Sequence, residues 1–365
     1  MWSRLSIHDK CIWARPQHEG FPVDIVESFK RVAIVGAGVS GLACAKLLGD
    51  HGIDVVVFDK SRGTGGRAST HRSGDYAFDS GAQYFTARDA LFVAQVHDWV
   101  TAGVAAEWRG ETVRLRDGEV LPGQGGTQRF VGMPGMSSIS RHLARDCRVT
   151  TGFRVVRLEQ DRDGVALVSQ DDHREGGFDA VVVATPAPQT AALVRSAAPD
   201  LAAVAERVPF SACLALMVAF KDRLPLGFDG AFVDDSPLSW LARDSSKPGR
   251  LGDETWVLHA EPSWSDENFA AEEEVIVGSL RQAFVRATGV AMPEPLYSRL
   301  HRWRYALPPE PLRDRFLFDA TAGIGACGDW CAGPRVEGAF LSGTALAERV
   351  LQWLVEGAGS RARRS

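Results

Sequence analysis

A chain of 365 residues with 45% hydrophobic composition carries enough apolar side chain for a large core, and its length favours two domains. A net charge of -5, with no face-sized basic cluster apart from the "RARR" of residues 361–364, excludes a general nucleic-acid binder. No apolar run approaches the roughly 18 residues of a membrane span, and six scattered cysteines, of which only Cys327 and Cys331 are close, predict no metal site.

Residues 1–30 carry charges and prolines without the apolar stretch of a signal peptide, which predicts a poorly ordered extension on a cytoplasmic protein with reduced thiols. From Arg31 the pattern becomes regular. Val32–Val35 is β-branched and apolar, like a strand buried on both faces; "LACAKLLGDHG" has helical composition; Ile53–Phe58 is a second buried strand. Within this βαβ unit Gly36, Gly38 and Gly41 fit G-x-G-x-x-G. The first glycine allows the tight turn, the second lets a pyrophosphate approach the backbone, and the third lets helix pack on strand, with the helix N-terminus facing the anion. Asp59 ends the second strand, where a carboxylate can take the adenosine ribose hydroxyls. Ser40 and Lys60 join this candidate set.

A second glycine turn follows at "SRGTGGRAST", residues 61–70. A nicotinamide cofactor needs only the first cradle, whereas FAD lies extended past the first helix. Gly63, Gly65 and Gly66 let the main chain pass close to such a ligand, and Arg62 and Arg67 can neutralise phosphate. The second turn therefore points to a flavin.

These residues, with Gly65, Gly66, Arg67 and Ser69 or Thr70 matching G-G-R-x-x-[ST], resemble the flavin amine oxidase superfamily. The segments "FDKSRGTGGR", "GAQYFTARD", "MPGMSSI", "VVVATPAPQ", "SPLSWLARDSSKPGR", "TWVLHAEPSWS", "HRWRYALP" and "CGDWCAGPRVEGAFLSG" resemble, more closely, the bacterial renalase family. Residues 1–30 depart from that pattern, and Asp59 is shorter than the glutamate many relatives carry. The resemblance implies an α/β fold: a Rossmann-type FAD-binding domain like that of glutathione reductase and the amine oxidases, with an inserted α+β substrate domain. It implies that Ala82, Gln83 and Tyr84 lie beside the isoalloxazine, that the Val155 backbone meets the adenine, that Thr185 belongs to the cofactor site and that Asp329 holds a ribityl hydroxyl. It also implies that a helix beginning near Val336, Glu337 and Gly338 points its N-terminus at the flavin pyrimidine edge, where a helix dipole stabilises the charge of the reduced ring. FAD is expected to be held non-covalently, although Cys331 is nearby.

Further along the chain, residues 154–170 alternate and turn at Asp163-Gly164, predicting a hairpin, and "DAVVVATPAP" predicts another buried strand. "RDALFVAQVHDWVTAG" places Phe92, Val96 and Trp99 at helical spacing, and "SDENFAAEEEVIVGSLRQAFVRATG" reads as one capped helix ending at Gly289. "ACLALMVAF" and "TWVLHA" are strand-like. The expected division is an FAD-binding domain of residues 31–86, 147–190 and 311–357, a substrate domain of residues 87–146 and 191–310, and a tail of residues 358–365.

Candidates facing a substrate are Tyr84, His259, Trp264, Trp303 and Tyr305, since an oxidase whose substrate already holds a hydride needs stacking and water exclusion more than acid-base groups. Three activities fit. One is oxidation of 2-dihydro- or 6-dihydro-NAD(P) by flavin and dioxygen, giving NAD(P)+ and hydrogen peroxide. Another is amine oxidation, which in the superfamily often uses a lysine bridged by water to flavin N5; of six lysines, only Lys221 and Lys247 lie in the later substrate region. A third is a non-catalytic flavin-binding module. Which isomer or phosphate form is preferred, and the oligomeric state, are open at this level.

Overall fold

The computed structural model describes residues 30–123, 126–250 and 252–362; nearly all of the expected extension lies outside them. A six-stranded sheet runs in the order Leu317–Asp319, Ile324–Ala326, Ala180–Val183, Arg31–Val35, Asp54–Asp59, Arg148–Thr151, parallel except at the Leu317–Asp319 edge. Its central strands are apolar on both faces because both are covered. Val32, Ile34, Val55 and Val57 pack with Leu42 and Leu48 of helix Val39–Asp50 and with Leu346 and Val350 of helix Val336–Ala362. Ala33, Val35, Val56 and Phe58 face a three-stranded sheet, Val155–Asp161, Gly164–Ser169 and Arg174–Phe178, through Leu158, Val165 and Leu167. The expected hairpin is there, with its turn one residue earlier: Arg162 and Asp163 form it and Gly164, at φ 121°, opens the return strand.

A seven-stranded sheet stands over this body in the order Tyr297–Leu307, Ser211–Phe220, Glu254–Ala260, Leu238–Arg243, Gly230–Val233, Thr112–Arg116, Glu119–Pro122. Side chains alternate across it. Leu214, Leu216, Leu241, Leu258 and Leu300 pack against Ile276, Leu280 and Phe284 of helix Glu273–Thr288 on the far face. On the near face Met217 and Val257 meet Phe78, while Trp240 and Ala242 join the core around Val39–Asp50.

Three expectations shift. Residues 262–288 form two helices, Pro262–Asn268 and Glu273–Thr288, because Glu272 to Glu274 start a fresh N-terminus rather than continuing the first helix. The second helix ends as expected at Gly289, left-handed at φ 69°. Helix Ala90–Thr101, capped by Asp89, buries Phe92, Val96 and Trp99 against Phe340 of the last helix, and it joins the core of the first body together with Phe85 before it and Val104, Ala105 and Trp108 after it. That last helix runs to Ala362, past the expected start of the tail.

Candidate active site

The two glycine turns meet. Gly38 and Gly65 pair as an isolated parallel bridge, with Gly65 N donating to Ala37 O at 2.9 Å. A Cβ on Gly41 would sit 2.0 Å from Gly36 O, and one on Gly36, at φ 114°, would sit 2.7 Å from Ala184 O, so the helix comes down on the strand as the motif requires. By contrast, a Cβ on Gly38 or Gly63 meets nothing within 4 Å: these stretches of bare backbone are open on the side a ligand would approach. Asp59 accepts from Ala37 N and Ser61 N, both at 2.7 Å, and so holds the first turn as well as presenting a carboxylate there. Ser40 is buried at the helix N-terminus, beside Cys327, whose thiol burial pushes up to about 12. Lys60 and Arg62 are exposed, and the Lys60 amine reaches Gln189 Oε1 at 3.5 Å.

Past the second turn, Arg67 and Asp329 form a bidentate pair at 2.8 and 2.7 Å, and Arg67 also donates to Ala306 O at 3.0 Å. Arg67, expected to neutralise phosphate, here ties the second turn to the C-terminal strand-helix junction. Helix Val336–Ala362 starts where expected. Glu337 Oε1 accepts from Arg88 N at 2.6 Å and Asp89 N at 2.8 Å, and a Cβ on Gly338 would lie 2.1 Å from Gly333 O. Thr185 follows strand Ala180–Val183, its carbonyl accepting from Trp330 Nε1 at 3.0 Å, and Val155 opens the three-stranded sheet. Burial raises the Cys331 thiol well above its ordinary value, which leaves little thiolate for covalent attachment.

Register builds the opposite wall. His259 lies opposite both Ala215 and Trp240, Ala215 opposite His301, and Phe232 opposite Trp240. Directly opposed residues share a sheet face, so His301, His259, Trp240 and Phe232 form one row, with Trp303 on the same face of its strand as His301; Tyr305 lies where the pairing shifts between Trp303 and Leu307 and packs on Phe210, centroids 6.1 Å apart. Beneath it runs the loop Asp79–Tyr84. Ser80 O accepts from His259 Nε2 and from Trp303 Nε1, both at 3.0 Å, and Tyr84 packs on Trp240 with centroids 5.3 Å apart. Because a carbonyl only accepts, His259 carries its proton on Nε2; burial drives its pKa down to about 4, so the ring is neutral at physiological pH. Gln83 faces the other way. Its amide donates to Asp79 O and, at 3.3 Å, to Gly81 O, and any cofactor contact at this position falls to the backbone. Trp264 does not join this group: it lies on helix Pro262–Asn268 and packs into the far-face cluster.

Sequence reading missed Trp240, Asp79, Asp244 and Arg250; Lys247 lies in the expected loop, after strand Leu238–Arg243, but is not exposed there. Lys247 is fully buried, with its amine on Asp244 Oδ1 at 2.5 Å, Gln83 Oε1 at 3.2 Å and Asp79 Oδ2 at 3.5 Å. Burial works to raise the Asp79 carboxyl, but Lys247 and Arg250 beside it hold it below the usual range. The signal was present in "SSKPGR", where two cations close a run of buried-strand residues. Among the described residues no cluster of His, Cys, Asp and Glu has metal-binding geometry, and no helix is long and apolar enough to cross a membrane.

A nucleotide cradle joined to a second sheet by a flavin-type strap defines a class of two-domain dinucleotide-dependent oxidoreductases. Comparison with known proteins agrees: residues 34–96 match the NAD(P)-binding Rossmann-like domain and residues 111–351 match the flavin containing amine oxidoreductases. The chain belongs to the flavin-containing amine oxidoreductase family; it is an enzyme, and FAD is its cofactor. Among curated relatives, a zeta-carotene-forming phytoene desaturase of Myxococcus xanthus is 44% identical over 52 residues, 14% of this chain and 10% of that protein. The mitochondrial protoporphyrinogen oxidase of Nicotiana tabacum is 44% identical over 59 residues, 16% of this chain and 12% of that protein. The chain thus matches only a small fraction of the length of these relatives. The crystal structure of a candidate protoporphyrinogen oxidase from Exiguobacterium is 13% identical, with a TM-score of 0.71 over 88% of this chain and 99% of that one, a likeness of fold alone.

Proposed function

We infer that the protein is a renalase-like oxidase of 2-dihydro- or 6-dihydro-NAD(P). When bound, FAD supplies N5 as hydride acceptor and passes the two electrons to dioxygen, which takes up two protons and leaves as hydrogen peroxide, with NAD(P)+ as the other product. The chain's own part is to position and to exclude water: the His259, Trp240 and Trp303 rings share the sheet face that meets the Ser80 to Tyr84 loop, which supports this face as the one that closes over flavin and substrate. Unpaired cysteines such as Cys44 and Cys213 suit a cytoplasmic setting.

One observation carries this reading over amine oxidation. An ammonium has three N–H donors, and those of Lys247 face three acceptors in a site closed to water. No donor remains to hold a water at N5. His259 likewise is neutral with its N–H committed. The wall suits a substrate that arrives with a transferable hydride and needs no base. Anaerobic mixing of the holoenzyme with each dihydro isomer, with a panel of primary and secondary amines and with NADH, followed by flavin absorbance, tests it. Rapid bleaching by an isomer is expected; bleaching by amines alone establishes the amine oxidase, and no bleaching by any donor establishes a non-catalytic flavin module.

A further inference from the structure

The loop Asp79–Tyr84 is clamped from below by a sealed ion cluster. Asp79, Asp244 and Lys247 are 0% exposed. Asp79 Oδ1 accepts from Thr70 Oγ1 at 2.8 Å and Met136 N at 2.9 Å, and Arg250 donates to Asp79 Oδ2 and, at 2.7 Å, to Gly132 O. Four separate segments, around Thr70, Asp79, Met136 and Lys247, are thereby locked at one point. Lys247 does something the other members do not. It touches the carboxylate that opens the loop and, through Gln83 Oε1, the amide near its end, while the carbonyl between them, Ser80 O, holds both His259 and Trp303.

We propose that Lys247 is a positioning residue for hydride transfer: by bridging Asp79 and Gln83 it sets the curvature of the Asp79–Tyr84 loop, and with it the placement of Tyr84, His259 and Trp303 against the flavin. This rests on the loop lying against the isoalloxazine, as in the reading above. The cluster holds two carboxyls and two cations, and burial raises the Asp244 carboxyl, so removing Lys247 alone takes away the cation nearest to Asp244. The double substitution Lys247→Met with Asp244→Asn removes both together, leaving Asp79 with Arg250, and Gln83→Leu breaks the bridge from its other end while leaving all four ionisable groups in place.

The test compares both variants with the wild-type holoenzyme in two ways. Visible circular dichroism of the bound FAD needs no donor and reports the asymmetry around the ring; anaerobic stopped flow gives the reduction rate per bound flavin with whichever donor bleaches the wild type fastest. In both variants an altered flavin dichroism is expected, with reduction slowed about tenfold and apparent donor affinity nearly unchanged. A purely structural lysine would lower melting temperature or FAD content but leave both per-flavin quantities as in the wild type, and that result in either variant overturns the proposal. If neither dihydro isomer bleaches the wild type, the proposed function falls by itself, and the dichroism still decides the role of Lys247.

Discussion

The two walls of the proposed cofactor groove are built in different ways. The floor, from Gly36 to Thr70, is made of backbone: its geometry follows from where side chains are missing, and its residues are neighbours in sequence. The roof is made of side chains, set in one row by the register of strands that lie up to about 90 residues apart, from His301 to Ser211–Phe220. A backbone site tolerates no intrusion at a few positions and is indifferent elsewhere; a register-built site degrades gradually, because each ring is held by several weak contacts.

The floor offers the largest contrast. Gly41→Val places side-chain atoms where even a Cβ would lie 2.0 Å from Gly36 O, so the helix must lift off the strand. FAD affinity is expected to fall at least about 100-fold, near 2.7 kcal/mol, giving colourless protein on purification. Gly49→Ala, exposed near the far end of the same helix, meets nothing within 4 Å and should keep its flavin. Equal FAD content in the two variants, measured by absorbance against protein concentration, would break the distinction between strict and indifferent positions.

This difference also explains what could be read from the sequence. The cradle, Asp59 and the second turn were legible because each is a short run whose composition states its conformation, whereas the start of the last helix at Val336 came only with the family resemblance. Residues of the roof carry no such mark. His259 and Trp303 could be named as candidates, but Trp264 looked equally good; only the turn of helix Pro262–Asn268 away from the groove separates them. Trp240 was invisible because its place depends on pairing with His259 across strands joined by a loop. Lys247 followed the same logic: "SSKPGR" is rightly loop-like, but nothing in it shows that the lysine is buried until Asp79, 168 positions earlier, is seen to meet it. The single helix expected over residues 265–289 was a different failure, since the acidic run at Glu272 to Glu274 was itself a start signal.

Smaller effects are expected in the roof. Trp303→Phe removes the indole donor from Ser80 O while keeping an aromatic ring, and should slow flavin reduction about fivefold with FAD content unchanged. Trp264→Ala should leave the reduction rate per flavin within about twofold, yet cost up to about 3 kcal/mol in stability through lost packing on the far face. Stopped flow and thermal melts on the two proteins sharpen the comparison within one sheet; a slow Trp264→Ala enzyme with an unchanged melting temperature would place that side chain in the groove after all.

The smallest effect on chemistry concerns His259, and there the expected change is none. Its pKa is about 4 in the folded protein against 6.5 for the free side chain, so between those values the unfolded chain binds a proton that the native ring refuses. Stability therefore falls as pH drops from about 6.5 toward about 4, by up to about 3 kcal/mol, and this group adds no further loss below that window. Flavin reduction tells the complementary story. A neutral ring with Nε2–H fixed on Ser80 O does not change state between about pH 5.5 and 8, so no inflection in the reduction rate should arise from it. An inflection near 6.5 that disappears in His259→Gln would mean that water reaches the ring and that the roof opens over the loop, which would make the register-built wall a mobile one.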